Sequence, residues 1–230
     1  MREFISQSAY FGIVLSISAY FVGVIIKRRI NIFIFNPMLI AITLTIAVLL
    51  LSGIDCVAYN NSTKYLNYLL TPATVCLAIP LYEQFKLLKS NGTAIIIGIA
   101  SGVLTSLTTI FIMALLFGLN HYEYVTLLPK SITTAIGIGL SSELSGYVSI
   151  TVASIILTGL FGNIAGDIIC KLTGVKHPIA KGVAIGTASH VMGTAKAMEI
   201  GEIEGAMSSL SVAVAGCMTV AAAIVFATFI

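Results

Sequence analysis

The stretch Leu128-Pro129-Lys130-Ser131-Ile132-Thr133-Thr134 places a lysine, a proline and three hydroxyl groups inside an otherwise apolar chain. A second stretch, Gly186-Thr187-Ala188-Ser189-His190-Val191-Met192-Gly193-Thr194-Ala195-Lys196, adds a histidine, a lysine and more hydroxyls. Such groups are costly at hydrocarbon depth unless they line a cavity or meet a polar ligand. The two stretches therefore predict a membrane protein with a site for a polar solute.

The composition of the whole chain is that of a membrane protein. Of its 230 residues 58% are hydrophobic and only 9% are charged, and the mean hydropathy is +1.05, whereas a soluble domain carries about 25% charged residues. The net charge of +3 is scattered over short loops, which argues against nucleic acid as a partner and predicts that the lysines set the orientation in the bilayer.

The apolar runs predict an all-α polytopic membrane protein with about seven spanning helices. The first run, 4–26, is interpreted as a retained helix that ends at Lys27-Arg28-Arg29. The second helix is expected to begin near Asn36-Pro37 and to end at about Gly53, followed by a polar loop at 55–64. Further runs are 65–82, 93–117, 147–169 and 205–229, with a loop at 83–92 and a small-residue segment at 182–200.

The segment that begins at Pro129 is the exception, because 129–140 has only about 12 residues and is too short to span. If it dips into the bilayer and returns, the basic cluster at 171–181 falls on the same side as Lys86 and Lys89. A re-entrant or broken element at 129–142 is therefore favoured, with a full span over 124–140 as the alternative.

A weak internal sequence similarity links Pro72-Ala73-Thr74-Val75 with Pro129-Lys130-Ser131-Ile132. In the topology above, the helices that follow the two motifs run in opposite directions, as in transporters built from inverted repeats with discontinuous helices. We therefore expect one membrane domain, 1–230, with repeat halves at about 1–120 and 121–230.

The same two motifs form the predicted substrate site. A proline before a short helix leaves first-turn amides without partners, and the hydroxyls of Ser131, Thr133 and Thr134 and the charge of Lys130 complete an anion site suited to a carboxylate. The alternative is a snorkelling lysine with hydroxyls bonded to their own backbone. The companion motif contributes Thr71, Ala73 and Thr74 to the predicted site, or forms an ordinary proline kink.

His190 is predicted to bond the substrate or to carry a coupled proton, since few other partners exist for a histidine in a membrane segment. Thr194 and Ser208 are predicted substrate-binding residues, and Asp167 and Glu199 are further candidates for proton coupling. The alternative is a structural role for all of them, in which the glycines and small residues around His190 serve close helix packing.

Enzyme chemistry is not predicted. The sequence contains no nucleophile elbow and no zinc signature, and the four cysteines have no CxxC spacing. We expect no metal, no cofactor and no catalytic residue.

The polar motifs resemble those of the LrgB/CidB family of bacterial membrane proteins. The matching stretches occur in family order and are TPATVCLAIPLY at 71–82, PKSITT at 129–134, TGLFG at 158–162, GTASHVMGTAK at 186–196 and GAMSS at 205–209. Two departures are Ala135, where the family is expected to have a second proline, and Val191-Met192, which replaces a more usual Gly-Ile pair.

The resemblance implies a multi-pass protein of the bacterial plasma membrane that works with a smaller LrgA/CidA-type membrane protein. It implies one of two functions. The first is transport of a small monocarboxylate such as pyruvate, glycolate, glycerate or lactate by a secondary carrier or facilitator. The second is a holin/antiholin-like regulator of murein hydrolase export and cell lysis. The buried polar groups favour the carrier, and homo-oligomerisation is left open.

Overall fold

The structure, a computed structural model, describes residues 10–30, 36–69, 72, 75–76 and 78–230, and all regular elements in this part of the chain are helical. The contacts divide the chain into two compact units, Met1–Cys76 and Leu77–Ile230. The all-α class predicted from the sequence is confirmed, whereas the repeat halves at about 1–120 and 121–230 stay a prediction.

The first unit contains α1 (Phe11–Arg29), α2 (Pro37–Ser52), α3 (Cys56–Ser62) and α4 (Lys64–Tyr68). Both predicted ends of α2 are confirmed. The Asn36 side chain accepts a hydrogen bond from the Met38 amide at 2.9 Å, and Gly53 ends the helix with φ 62° in the left-handed region.

The polar loop predicted at 55–64 is wrong, because α3 forms there. Asp55 caps this helix by accepting a hydrogen bond from the Val57 amide. The helix is then held on α1, since the Gly12 amide donates to Ser62 Oγ at 2.9 Å and Ser16 Oγ lies 2.8 Å from the Tyr59 hydroxyl. A capping side chain and tertiary hydrogen bonds outweigh the low helix propensity of asparagine.

The second unit begins with α5 (Ala78–Glu83) and a 33-residue α6 (Phe85–Phe117). It continues with α7 (His121–Leu127), a 3-10 turn (Leu128–Ser131), α8 (Thr134–Glu143), α9 (Val148–Leu172), α10 (Pro178–Ile200), α11 (Glu202–Phe226) and a final 3-10 turn (Ala227–Phe229). The loop predicted at 83–92 is wrong, because this lysine- and leucine-containing stretch has high helix propensity and extends α6.

A hairpin, called the first hairpin, is formed by α7, the 3-10 turn and α8. The helix is broken at Ile132 and Thr133, which are both extended. α8 then runs back, since a Cβ at Gly137 would lie 3.6 Å from Pro129 Cβ and the Tyr147 amide bonds to Thr126 Oγ1 at 2.7 Å. The broken element predicted at 129–142 is confirmed, and a full span over 124–140 is not formed.

α10 forms the second hairpin, which the sequence did not reveal. The break lies at His190, where φ is 46° and ψ is −143°. The two arms, 178–189 and 191–200, fold back on each other, because a Cβ at Gly193 would lie 3.1 Å from the Ile185 carbonyl oxygen. The predicted small-residue segment is therefore two short antiparallel helices.

The two hairpins enter the second unit from opposite ends, and their tips meet at Ile155 of α9. Ile155 contacts Gly137 of the first hairpin, and its carbonyl oxygen lies 3.0 Å from His190 Nε2 of the second. Gly182 and Gly186 of the second hairpin lie against the backbone of α11 at Glu204 and Ser208, so the predicted close packing of small residues is observed.

Four helical segments in the described residues are long and apolar enough to cross a membrane: Phe11–Arg29, Lys89–Phe117, Val148–Leu172 and Glu202–Phe229. The two hairpins add short helices that dip into the unit. The count of about seven spans stays a prediction, and so does a crossing by the run 65–82, because residues 70, 71, 73, 74 and 77 lie outside the described part of the chain.

Candidate substrate-binding site

A cavity of about 680 Å³ lies in the second unit, between α6, the first hairpin and the arm 178–189 of the second hairpin. Its polar lining includes Ser101, Thr105, Ser106, Thr109, Lys130 and Thr187. Asn91 and His177 also line it, and much of the remaining wall is small or apolar, with Gly98, Gly102, Val183 and Ala184 among its residues. The cavity thus combines a cation and several hydroxyls with apolar walls, as small-molecule sites do.

Lys130 and Ser131 bring the tip of the first hairpin into the cavity, and substrate binding by the two residues stays a prediction. Lys130 Nζ donates to Ser131 Oγ at 3.3 Å, and Ser131 Oγ lies 3.1 Å from Ser106 Oγ on α6. Ser106 is 11 residues before the end of α6 at Phe117, or about 16 Å at 1.5 Å per residue. With Phe117 at the edge of the hydrocarbon, this distance corresponds to about half of a bilayer about 30 Å thick.

The charge of Lys130 is not neutralised within the described residues. The ion pairs found there join Asp167 to Lys171 at 2.6 Å and to Lys181 at 3.2 Å, and Lys196 to Glu199 at 2.7 Å. A half-buried ammonium group in apolar surroundings binds an anion strongly, because water screens the interaction less there. The arrangement favours a carboxylate ligand at Lys130.

A row of hydroxyl groups along one face of α6 was not singled out from the sequence. Ser101, Thr105 and Thr109 recur every four residues and line one wall, although each hydroxyl also bonds a carbonyl of its own helix at 2.7–2.8 Å. The i, i+4 spacing was a usable signal, because it places all three hydroxyls on one helical face.

His190 lies at the tip of the second hairpin and is buried, with 4% of its surface exposed. Since the Ile155 carbonyl can only accept a hydrogen bond, Nε2 carries the proton in their 3.0 Å contact. Asn163 donates from Nδ2 to the Met192 carbonyl at 2.6 Å, next to the break. These bonds fix the hairpin tip on α9, and His190 does not line the cavity.

Thr194 and Ser208 are brought together with His190. Thr194 Oγ1 donates to the His190 carbonyl at 3.0 Å and lies 2.8 Å from Ser208 Oγ on α11. Thr133 and Thr134 occupy the start of α8 beyond the cavity lining. Thr71, Ala73 and Thr74 lie outside the described residues. Substrate binding by these seven residues and His190 stays a prediction.

The two acidic candidates for proton coupling are both in ion pairs. Asp167 accepts from Lys171 and Lys181 near the base of the second hairpin. Glu199 is exposed and pairs with Lys196. Neither carboxylate lines the cavity, and a proton-coupling role for either stays a prediction.

Comparison with known proteins places the chain in a family. The model of the LrgB-like family matches residues 16–229. This chain belongs to the LrgB-like family. The antiholin-like protein LrgB of Bacillus cereus (strain B4264) is 37% identical over 226 residues, which cover 98% of each chain.

The LrgB protein of Bacillus anthracis (strain A0248) shows the same identity and coverage. No solved structure matches the chain. Membership of the LrgB-like family, together with the apolar helices, identifies a multi-pass protein of the bacterial plasma membrane.

Proposed function

We propose that this LrgB-like protein is a secondary carrier or facilitator that moves a small monocarboxylate, of the pyruvate, lactate, glycolate or glycerate type, across the plasma membrane. The observation that carries the proposal is Lys130, a cation near mid-bilayer depth that lines a cavity and has no carboxylate partner in the described residues. The substrate carboxylate would supply the countercharge, with Ser131 and Ser106 bonding its oxygens.

The two opposed hairpins support a carrier mechanism. In many secondary transporters, discontinuous helices meet at the substrate site, and access alternates as these elements move against a scaffold. Here the two tips meet at Ile155, and the cavity lies between the tip of the first hairpin and the arm 178–189 of the second. Movement of a hairpin tip would close the cavity on one side and open it on the other.

Uptake of labelled monocarboxylates into proteoliposomes tests the proposal. Lys130→Met should lower saturable uptake tenfold or more, because a charged hydrogen bond contributes about 1.5–3 kcal/mol. Lys176→Met is the matched control, since Lys176 is exposed and does not line the cavity. Saturable, selective uptake that is unchanged in Lys130→Met would rule out this site.

An antiholin-like regulator is the second candidate, favoured by the name of the Bacillus relatives that match 98% of this chain. Such a regulator needs no stoichiometric substrate. Equal leakage of unrelated solutes from the proteoliposomes, insensitive to Lys130→Met, would favour it over a carrier.

An LrgA/CidA-type membrane protein is the proposed partner. Assembly of this chain into homo-oligomers is the other form of association to be tested. Uptake should be measured with and without this small protein in the same vesicles. Flux that requires the second protein would make the complex the carrier, whereas equal flux in both preparations would make this chain sufficient.

A further inference from the structure

The cavity that contains Lys130 follows the contact between α6 and the arm 178–189 of the second hairpin, and both helices contribute to its walls. A Cβ at Gly98 would lie 3.4 Å from Val183 Cγ1, and a Cβ at Gly102 would lie 2.8 Å from Thr187 Cγ2. Because both contacts advance by four residues in the same sense, the two helices run side by side in the same direction. The cavity therefore extends along the helices as a groove.

This groove is much larger than a small acid. Asn91 and Ser106 both line it, and the 15 residues between these positions correspond to about 22 Å of helix. Lys130 lies at the Ser106 end, because Ser131 Oγ is 3.3 Å from Lys130 Nζ and 3.1 Å from Ser106 Oγ. The volume of about 680 Å³ equals that of more than about 20 water molecules in the liquid. A three-carbon acid bound at Lys130 thus leaves most of the cavity unfilled.

Polar and apolar residues are separated along the groove. The cation and the hydroxyl groups of Ser101, Thr105 and Ser106 lie at one end, and Asn91 and His177 lie at the other. Between them is a stretch of wall without charged or hydroxyl-bearing side chains among the described residues. This stretch, called the apolar segment, is formed by Ala94, Ile95, Gly98, Ala180, Val183 and Ala184.

The apolar segment lies within reach of a ligand that is bound at Lys130. Apolar walls alone are ordinary in a membrane protein, but here they continue from a cation that has no carboxylate partner in the described residues. Gly98 precedes Ser106 by eight residues, or about 12 Å. Because a C–C bond is about 1.5 Å long, a chain of roughly six to ten carbon atoms covers this distance. The alanines at 180 and 184 are exposed, so their small side chains leave room for such a chain.

We propose that the apolar segment is a subsite for the tail of a longer monocarboxylate, whose carboxylate binds at Lys130. The proposal rests on the carboxylate site of the proposed function and extends its ligands to unbranched acids of medium chain length. Removal of the tail from water stabilises the complex in proportion to the apolar area that is buried. Medium-chain acids therefore compete with short acids for the same cation and bind more tightly.

Inhibition of labelled pyruvate uptake into proteoliposomes tests the proposal, with the unbranched 2-oxo acids from 2-oxobutanoate to 2-oxodecanoate as competitors. The concentration for half-inhibition should fall about twofold to fourfold for each CH₂ group that reaches the apolar segment. Ala184→Leu fills the segment and should abolish this dependence on chain length while pyruvate uptake is retained. Ala180→Leu repeats the test one turn nearer to Asn91. Ala195→Leu is the matched control, since Ala195 is also exposed on the second hairpin but does not line the cavity.

The outcomes separate the tail subsite from the carboxylate site. Uptake that depends on Lys130, with inhibition that does not strengthen with chain length, overturns the subsite and leaves the carboxylate site standing. The same gain with chain length in Ala184→Leu and Ala180→Leu as in the unaltered protein assigns the gain to the bilayer and also overturns the subsite. Uptake that is insensitive to Lys130→Met overturns both.

A binding measurement decides the matter if the vesicles show no uptake. The melting temperature of the protein in lipid nanodiscs should rise with the chain length of the added 2-oxo acid, and the rise should be lost in Lys130→Met and in Ala184→Leu. A melting temperature that none of these acids changes would overturn the subsite.

Discussion

At the scale of single residues, His190 combines an unusual backbone conformation with a structural hydrogen bond. Its φ of 46° and ψ of −143° lie in a region that glycine adopts readily and other residues adopt at a cost of about 1–3 kcal/mol. The contact between Nε2 and the Ile155 carbonyl helps to hold this conformation. The side chain therefore stabilises the turn that its own Cβ disfavours.

At position 190 the glycine variant should be more stable than the alanine variant, which is the reverse of their order in an ordinary helix. We expect His190→Gly to be more stable than His190→Ala by about 1 kcal/mol, because both lose the hydrogen bond but glycine alone relieves the strain. The melting temperature in detergent measures this order. At the helical, exposed Ala195 the control change Ala195→Gly should lower stability instead; the same order at both positions would contradict a break at His190.

Of the site residues predicted from the sequence, Lys130 and Ser131 line the cavity. Lys130 stands out because a lysine within an apolar run is energetically costly and commonly marks a functional site. Thr187 does not stand out, because serine and threonine commonly bond their own helix in membranes. Whether a hydroxyl is paired depends on side-chain rotamers and on neighbours such as Gly102, which no local pattern reveals.

At the scale of elements, Thr151 joins the first hairpin to α9. Its Oγ1 donates to the Thr126 carbonyl at 2.8 Å and lies 2.7 Å from Ser141 Oγ. It thus contacts both arms of the hairpin at once. All three residues are buried, so loss of one partner leaves polar groups without water to replace it.

Thr151→Val should loosen the first hairpin. We expect the free energy of unfolding to fall by about 1–3 kcal/mol and the amides of α8 to exchange hydrogen faster. Ser154→Ala is the matched control, because Ser154 is only partly buried on the same helix and bonds the Ile150 carbonyl. Equal exchange in α8 for the two variants would show that Thr151 does not hold the hairpin.

The sequence indicated the first hairpin but not the second, for reasons that concern helix breaking. Pro129 and the short apolar run after it indicate a break. The stretch 178–200 has the length of an ordinary helix and no internal proline, and Gly186 and Gly193 are equally typical of close packing. The turn at His190 is fixed instead by tertiary hydrogen bonds to Ile155 and from Asn163.

At the scale of the second unit, the hairpin bases lie at opposite ends. The base of the second hairpin adjoins Lys171, Lys176 and Lys181. It lies at the same end as the start of α6, since Gly98 lies against Val183 and Gly102 against Thr187, so that the two helices run in the same direction. The positive-inside rule predicts that the basic end faces the cytoplasm. We therefore expect the first hairpin to enter from the outer side of the membrane.

Cysteine labelling in intact cells should show this polarity. In a variant without native cysteines, Tyr122→Cys and Glu143→Cys at the two ends of the first hairpin should both react with an impermeant maleimide. Lys176→Cys and Glu202→Cys at the base of the second hairpin should react only after the membrane is permeabilised. Reaction of Tyr122→Cys and Glu143→Cys from opposite sides would contradict a hairpin.

The length and composition of the chain were enough to predict a helical membrane protein but not its number of crossings. α8 and the two arms of α10 contain polar and small residues and are too short to span. Hydropathy averages over such segments, so it cannot separate a hairpin that returns from a helix that crosses. The contacts at Ile155 settle this for the two hairpins of the second unit.

The shortness of α8 also has a consequence for biosynthesis. A ten-residue helix that ends in Ser141-Ser142-Glu143 cannot leave the translocon as an independent spanning segment, because its polar ends would remain in hydrocarbon. It requires the wall provided by α9, which is synthesised after it. The first hairpin therefore inserts only after α9 has been synthesised. A chain truncated before Val148 would leave the hairpin outside the bilayer core.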